Sequence, residues 1–173
     1  MEPVNRNAYF IMIGLDMDKE RFMWLESELE KGLRYKHRFV VMHHSPISFY
    51  DQFQYRPEPQ QWQDRFRELF EKYKVDIVFS GHAHMYGDTS FNGVRYIVSG
   101  GSGIIVRVPA SAGGFLHYVV VKVSGDSVDC QLRRVFPPLW EYLAYYIWKD
   151  ARLYYKQQKL LNKERSVPGK VKE

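Results

Sequence analysis

The sequence predicts a layered α/β fold with a β-rich second part. Short apolar runs typical of buried strands occur at residues 8–15, 38–43 and 75–80. Segments with helical spacing lie between these runs, and two hairpin signals follow them. Alternating strands and helices predict a sheet whose strands end at one common edge, where ligands usually bind.

Each element has its own signal. The first helix is expected to start at Asp18, a good N-cap, and to stop at Gly32, with an apolar side formed by Phe22, Leu25 and Leu29. A second amphipathic helix is expected over 62–73. Asn92-Gly93 predicts a tight hairpin, and the SGDS segment at 124–127 predicts another.

The last part of the chain has a different composition. Pro137-Pro138 marks the end of the predicted sheet domain, 1–137; a basic, aromatic, C-terminal helix is expected over 138–165, and disorder over 166–173. Residues 149–173 hold eight Lys or Arg against three acids, so 8 − 3 gives the whole net charge of +5. This tail could contact anionic lipid at a membrane surface, nucleic acid or an acidic partner, or could be a solvated helix.

Composition also bears on the compartment. Cys130 is the single cysteine, which excludes an intrachain disulfide and a thiolate zinc cage. No long apolar run typical of a membrane span occurs, and the first residues lack the pattern of a secretory signal. We therefore expect a soluble chain, with a lean toward the cytoplasm.

Four of the six histidines follow predicted strands. His44 is expected at the tip of the second strand, because Ser45-Pro46 disfavours its continuation. His82 and His84 follow the third strand, in FSGHAHMYGD. A spacing of two suits metal binding when the backbone is extended or forms a tight loop, and Gly81 permits a sharp turn. The pattern favours either metal ligands or ordinary loop histidines.

Two longer segments decide between these alternatives. VVMHHSP and VDIVFSGHAHMY resemble the last two metal-binding motifs of the calcineurin-like metallophosphoesterases, which include the purple acid phosphatases. The resemblance covers roughly residues 8–135. It implies the C-terminal half of an α/β/β/α sandwich that hydrolyses phosphate mono- or diesters at a dinuclear metal site. The cofactors would be two divalent or trivalent ions, such as Mn, Fe or Zn.

The resemblance also assigns the ligands. His44 and His82 would bind one ion, and His84 would bind its neighbour. His43 does not fit the H-x-P spacing, and successive strand residues point to opposite faces, so it is expected to be packed or to support a ligand from behind. Tyr86 could orient the ligands in the same way, or could be an ordinary loop residue.

Other motifs of the family have no counterpart in their expected place. Its D-x-H, G-D-x-x-D and G-N-H motifs precede the first strand, and they include the histidine proposed to assist the leaving group. The string Gly125–Asp129 fits G-D-x-x-D but falls in a predicted hairpin turn. We therefore expect a fragment, a late start or one of two subunits, with weak metal binding and little turnover on its own.

Two functional hypotheses follow. The first is a metallophosphoesterase completed by a missing N-terminal half or by a complementing chain. An incomplete sheet would expose an apolar edge and favour association, including homo-oligomers. The alternative is a non-catalytic metal-binding or interaction module whose basic tail contacts a partner or a membrane surface.

Overall fold

The computed structural model describes residues 7–15, 17–49, 60–102, 106, 108–136 and 147. The chain divides into two compact units, Met1–Val135 and Phe136–Glu173, and the elements below belong to the first. Apart from Ile147, the predicted tail helix and the predicted disordered end lie outside the described residues. None of the described helices is long and apolar enough to cross a membrane.

The described elements are two α-helices and seven strands. In chain order they are β1 (Ala8–Met12), α1 (Lys19–Gly32), β2 (His37–Met42), α2 (Gln60–Lys72), β3 (Ile77–Ser80), β4 (Tyr86–Phe91), β5 (Val94–Ser99), β6 (His117–Ser124) and β7 (Ser127–Arg134). A short 3₁₀ helix spans Ala110–Ala112.

A five-stranded sheet in the order β1-β2-β3-β5-β4 forms the centre of the fold. Strands β1, β2, β3 and β5 run parallel, and β4 pairs antiparallel with β5 at one edge. The β6–β7 hairpin forms a separate two-stranded sheet. The predicted mixed α/β fold is confirmed, and both hairpins form at their predicted turns.

The two faces of the main sheet have different partners. Helix residues such as Leu25 and Phe66 are fully buried with Val40 and Val78 on one face. On the other face, buried apolar residues of the sheet pack against the hairpin; they are Phe39, Ile77 and Ile97 against Val119, Val123 and Val128. Helices, a main sheet and a smaller sheet therefore form three successive layers.

Helix α1 begins and ends at its predicted residues. The Asp18 side chain accepts a hydrogen bond from the Arg21 amide at 2.8 Å, which caps the first turn. The last helical residue is Gly32, as predicted, and Leu33 caps the helix in a right-handed conformation. A Cβ at Gly32 would come within 3.2 Å of Tyr9 and Arg38 side chains, so close helix–sheet packing explains this glycine.

The second half of the chain was predicted to be antiparallel, but it also contains a parallel pairing. Strand β5 pairs with β4 through the turn at Asn92 and Gly93, whose φ angles of 47° and 81° suit such a hairpin. The same strand also pairs in parallel with β3 on its other side. Strand β5 therefore extends the parallel sheet, which places the end of β3 in the sheet interior.

Candidate metal centre

Two loops at the same sheet edge carry the predicted metal ligands. Strand β2 ends at Met42 and its neighbour β3 ends at Ser80, and these two residues are register partners. His43 and His44 follow the first strand, and His82 follows the second. The Gly81 amide donates to the His43 carbonyl at 3.1 Å, which ties the two loops together directly beyond the strands.

The structure brings three imidazoles together. One ring nitrogen from each of His43, His44 and His82 lies within 4.8 Å of the others. The ring centres of His44 and His82 are 4.2 Å apart, and their planes stand at 82°. His43 Nε2 lies 3.0 Å from His82 Nδ1, within hydrogen-bonding distance. The result is a compact set of nitrogen donors at the sheet edge.

Two local features hold the first loop in place. Pro46 is buried, and the Ser45 hydroxyl oxygen accepts a hydrogen bond from the Ile47 amide at 3.2 Å. His44 is half-buried, and burial lowers the pKa of its imidazole. A lowered pKa favours the neutral ring near pH 7, which is the form that binds a metal.

The second loop is tight rather than extended. His82 has a φ of 47°, in the left-handed region that few non-glycine residues adopt. The turn expected at Gly81 is therefore made by His82, while a Cβ on Gly81 would have nothing within 4 Å. The backbone then folds back, with the His84 amide donating to the His82 carbonyl at 3.0 Å.

His84 does not belong to the group of three imidazoles found among the described residues. Its ring is half-buried, and its backbone packs closely against β5, since a Cβ on Gly100 would lie 3.1 Å from the His84 nitrogen. Its position outside this group is compatible with the resemblance, which assigns His84 to a different ion from His44 and His82. Its ligand role remains a prediction.

His43 is placed differently from its sequence expectation. Alternation along a strand would point it away from His44, but β2 ends one residue earlier, and His43 and His44 both lie in the bend beyond it. Both side chains therefore reach the same group. Only the expected direction of the side chain differs, because β2 ends one residue earlier than predicted. The expected support of a ligand fits the 3.0 Å contact with His82 Nδ1 and stays a prediction.

Tyr86 is the first residue of β4, and its side chain contacts Asp88 and His117. Its hydroxyl donates to Asp88 at 2.9 Å, and its ring stands edge-on to His117 with centres 5.4 Å apart. Burial and the Asp88 hydrogen bond raise the pKa of Tyr86 to about 12. These contacts connect Tyr86 to the hairpin layer, and its supporting role behind the histidines remains a prediction.

The string Gly125–Asp129 lies far from this edge. Gly125 and Asp126 form the β6–β7 turn, and the Gly125 carbonyl lies 3.0 Å from His37 Nε2. His37 begins β2, whereas the histidine group follows the end of that strand. Asp126 forms an ion pair with Lys36, also at the start of β2. The string therefore belongs to the opposite end of the sheet.

The donor set fits a metal ion. Imidazole nitrogen is a ligand for zinc, copper, iron and nickel, and short loops after two parallel strands fix the rings near one point. Among the described residues, the clustered donors are all imidazoles. His44 and His82 satisfy the positions that the resemblance assigns to one ion, and His43 adds a third nitrogen beside them.

Comparisons with known proteins agree with these features. The model of the calcineurin-like phosphoesterase family matches residues 6–86. A purple acid phosphatase from Glycine max is 37% identical over 68 residues, which are 38% of this chain and 14% of the relative. The family match contains both histidine loops, and the chain spans a small part of the purple acid phosphatase.

Solved structures share the fold at low identity. GAP50, the anchor in the inner membrane complex of Plasmodium, has a TM-score of 0.62 at 18% identity, over 73% of this chain and 45% of that chain. A 5′-nucleotidase structure from Staphylococcus aureus has a TM-score of 0.50 at 17% identity, over 80% of this chain and 29% of that chain. The resemblance is thereby confirmed: residues 6–86 match the model of the calcineurin-like phosphoesterase family.

Proposed function

We propose that the whole protein is a metal-dependent phosphoesterase and that this chain supplies imidazole ligands to its dinuclear site. The observation that carries this proposal is the meeting of His44 and His82, with ring centres 4.2 Å apart, inside the segment that matches the family. His44 and His82 would bind one ion, and His84 its neighbour. The substrate is a phosphate mono- or diester.

The chain's own residues suit this chemistry. Bound ions polarise the phosphoryl oxygens and offset the charge that develops during displacement. Imidazole ligands carry no charge, so they leave more positive charge at the ions than carboxylates would. The partial burial of His44 and His82 limits competition from water and fixes the direction of both rings. Bridging carboxylates would come from a missing N-terminal half or a complementing chain.

The test is hydrolysis of a nitrophenyl phosphate by the whole protein with added Mn²⁺. We expect His82→Ala to lower kcat/KM by at least about 100-fold, because one metal loses a ligand. Asp126→Ala is the matched control, since that carboxylate fits a metal motif in the sequence but lies in the exposed β6–β7 turn. Full activity in His82→Ala, or an equal loss in Asp126→Ala, would refute the proposed site.

A second candidate is a non-catalytic metal-binding or interaction module. Its support is the fold shared with GAP50, a protein described as an anchor. The basic tail, which lies outside the described residues, would then be the contact region. Phosphatase activity that depends on His82 would exclude this candidate, whereas an inactive whole protein with bound metal would favour it.

A further inference from the structure

We propose that His43 is a metal ligand and that His43, His44 and His82 form a three-imidazole site for a single ion on this chain alone. The inference rests on the proposed function in sharing His44 and His82 with the dinuclear site. It differs by adding His43, which the family motif does not use, and by requiring no ligand from elsewhere.

The first support is the orientation of the rings. Ring planes of His43 stand at 67° to both His44 and His82, with centres 4.8 and 4.9 Å away, and no pair is stacked. An imidazole lone pair lies in the plane of its ring. Rings set edge to face around a common point can therefore direct one nitrogen each toward that point, which stacked rings could not do.

The second support is the spacing of the nitrogens. Around a tetrahedral ion with metal–nitrogen bonds of about 2.0–2.1 Å, ligand nitrogens lie roughly 3.3 Å apart. His43 Nε2 and His82 Nδ1 are 3.0 Å apart, and one nitrogen from each of the three rings lies within 4.8 Å of the others, so side-chain adjustment can bring all three to this spacing. His43 is exposed, which leaves its side chain room for this adjustment.

The third support is the anchoring of the His43 backbone. Its carbonyl accepts the Gly81 amide at 3.1 Å, one residue before His82. The backbone is thus fixed to the loop that carries another ligand, so ordering His43 costs little entropy on binding. Three neutral imidazoles with an open fourth position match late first-row ions such as Zn²⁺ better than Mg²⁺ or Ca²⁺.

Zn²⁺ titration of the 173-residue chain, labelled with ¹⁵N-histidine, tests the proposal. Two-bond ¹H–¹⁵N spectra report metal-bound ring nitrogens without relying on exchangeable protons. We expect the signals of three of the six histidines, His43, His44 and His82, to shift with one equivalent of Zn²⁺. His43→Ala should leave two shifted histidines and raise Kd by more than about 100-fold, beyond the usual effect of a residue that only supports a ligand.

Asp126→Ala is the matched control, because that carboxylate lies in the exposed β6–β7 turn at the opposite end of the sheet. It should leave Kd and the three shifted signals unchanged. Unchanged binding in His43→Ala, weaker binding without loss of a shifted histidine, or no Zn²⁺ binding by the parent chain would each overturn the proposal. None of these results would remove His44, His82 and His84 from the dinuclear assignment, which phosphatase activity tests separately.

Discussion

Glycines behind the histidine loop determine how closely it packs against the rest of the fold. A Cβ on Gly100 would lie 3.1 Å from the His84 nitrogen. A Cβ on Gly101 would lie 2.5 Å from both His117 Nδ1 and the Phe115 carbonyl oxygen. His117 is fully buried, and its Nδ1 lies 2.8 Å from the same carbonyl. Neither neighbour of Gly101 can move without disturbing the hairpin layer.

Gly101→Ala should therefore destabilise the chain by about 1–3 kcal/mol, the usual cost of overpacking a close contact. Gly14→Ala is the matched control, since a Cβ there would meet nothing within 4 Å. Denaturant unfolding measures both variants. Equal denaturant midpoints for Gly101→Ala and Gly14→Ala would show that the contact between Gly101 and His117 leaves room for a methyl group.

Individual residues also show what the sequence could and could not predict about the site. Pro46 and the H-x-H spacing were sufficient to place His44 and His82 at one sheet edge. His43 was expected on the opposite face because the predicted strand ran one residue too far. The left-handed φ of His82 was also unexpected, because Gly81 was available for that conformation. Both differences depend on backbone detail that residue patterns do not specify.

At the scale of elements, charged groups fasten the β4–β5 hairpin. Arg95 on β5 donates to both carboxylate oxygens of Asp88 on β4, at 2.9 and 2.6 Å. Tyr86 donates to the same carboxylate. The Arg95 hydrogen bonds, opposed in part by burial, hold the pKa of Asp88 below its usual value of 3.8. The charged carboxylate is thus favoured in the folded state.

This arrangement predicts acid sensitivity. Because the folded pKa of Asp88 is lowered, its stabilising contribution is present above the unfolded pKa and is lost as pH falls through the folded value. The unfolding free energy should fall less between about pH 5 and pH 3 in Asp88→Asn than in the parent chain. Arg95→Met should likewise make the unfolding free energy depend less steeply on pH. Curves for parent and variants that stay parallel would contradict this account.

The helices and strands could largely be predicted from the sequence, but the pairing and packing between them could be predicted less well. Apolar runs and the turn residues gave every described strand to within a few residues, as well as both helices. The parallel pairing of β5 with β3 was not expected, because a hairpin signal concerns only adjacent strands. The helix end at Gly32 was predicted correctly, but the close contact of Gly32 with Tyr9 and Arg38, which are distant in sequence, was not.

At the scale of the molecule, the β1 side of the main sheet is incompletely covered. Among the described strands, β1 pairs only with β2. On the face that β6 and β7 cover elsewhere, Phe10 is 59% exposed and Met12 is 74% exposed. Strands of a parallel sheet are normally buried on both faces, so this surface favours association.

Met12→Lys should therefore reduce self-association of the chain, because it places a charge on the exposed apolar strand. Met23→Lys is the matched control: Met23 is 63% exposed on α1, away from this strand. Sedimentation velocity over a range of concentrations measures the effect. A parent chain that stays monomeric, or equal effects of the two lysines, would show that β1 is not the associating surface.

The share of each similar protein that this chain covers is also a property of the whole molecule. The chain spans 14% of the soybean phosphatase and 45% and 29% of the two solved relatives. The family match over residues 6–86 contains β1, β2, β3 and both histidine loops. The proposed site is thus built by the part of the fold that the family match identifies.

The most direct test of the central claim is an anomalous difference map from crystals of this chain grown with Zn²⁺. We predict that the strongest peak lies within bonding distance of ring nitrogens of both His44 and His82, at the ends of β2 and β3. Clear density for both imidazoles without a peak between them, or bound Zn²⁺ only at other residues, would contradict a metal centre at this edge of the sheet.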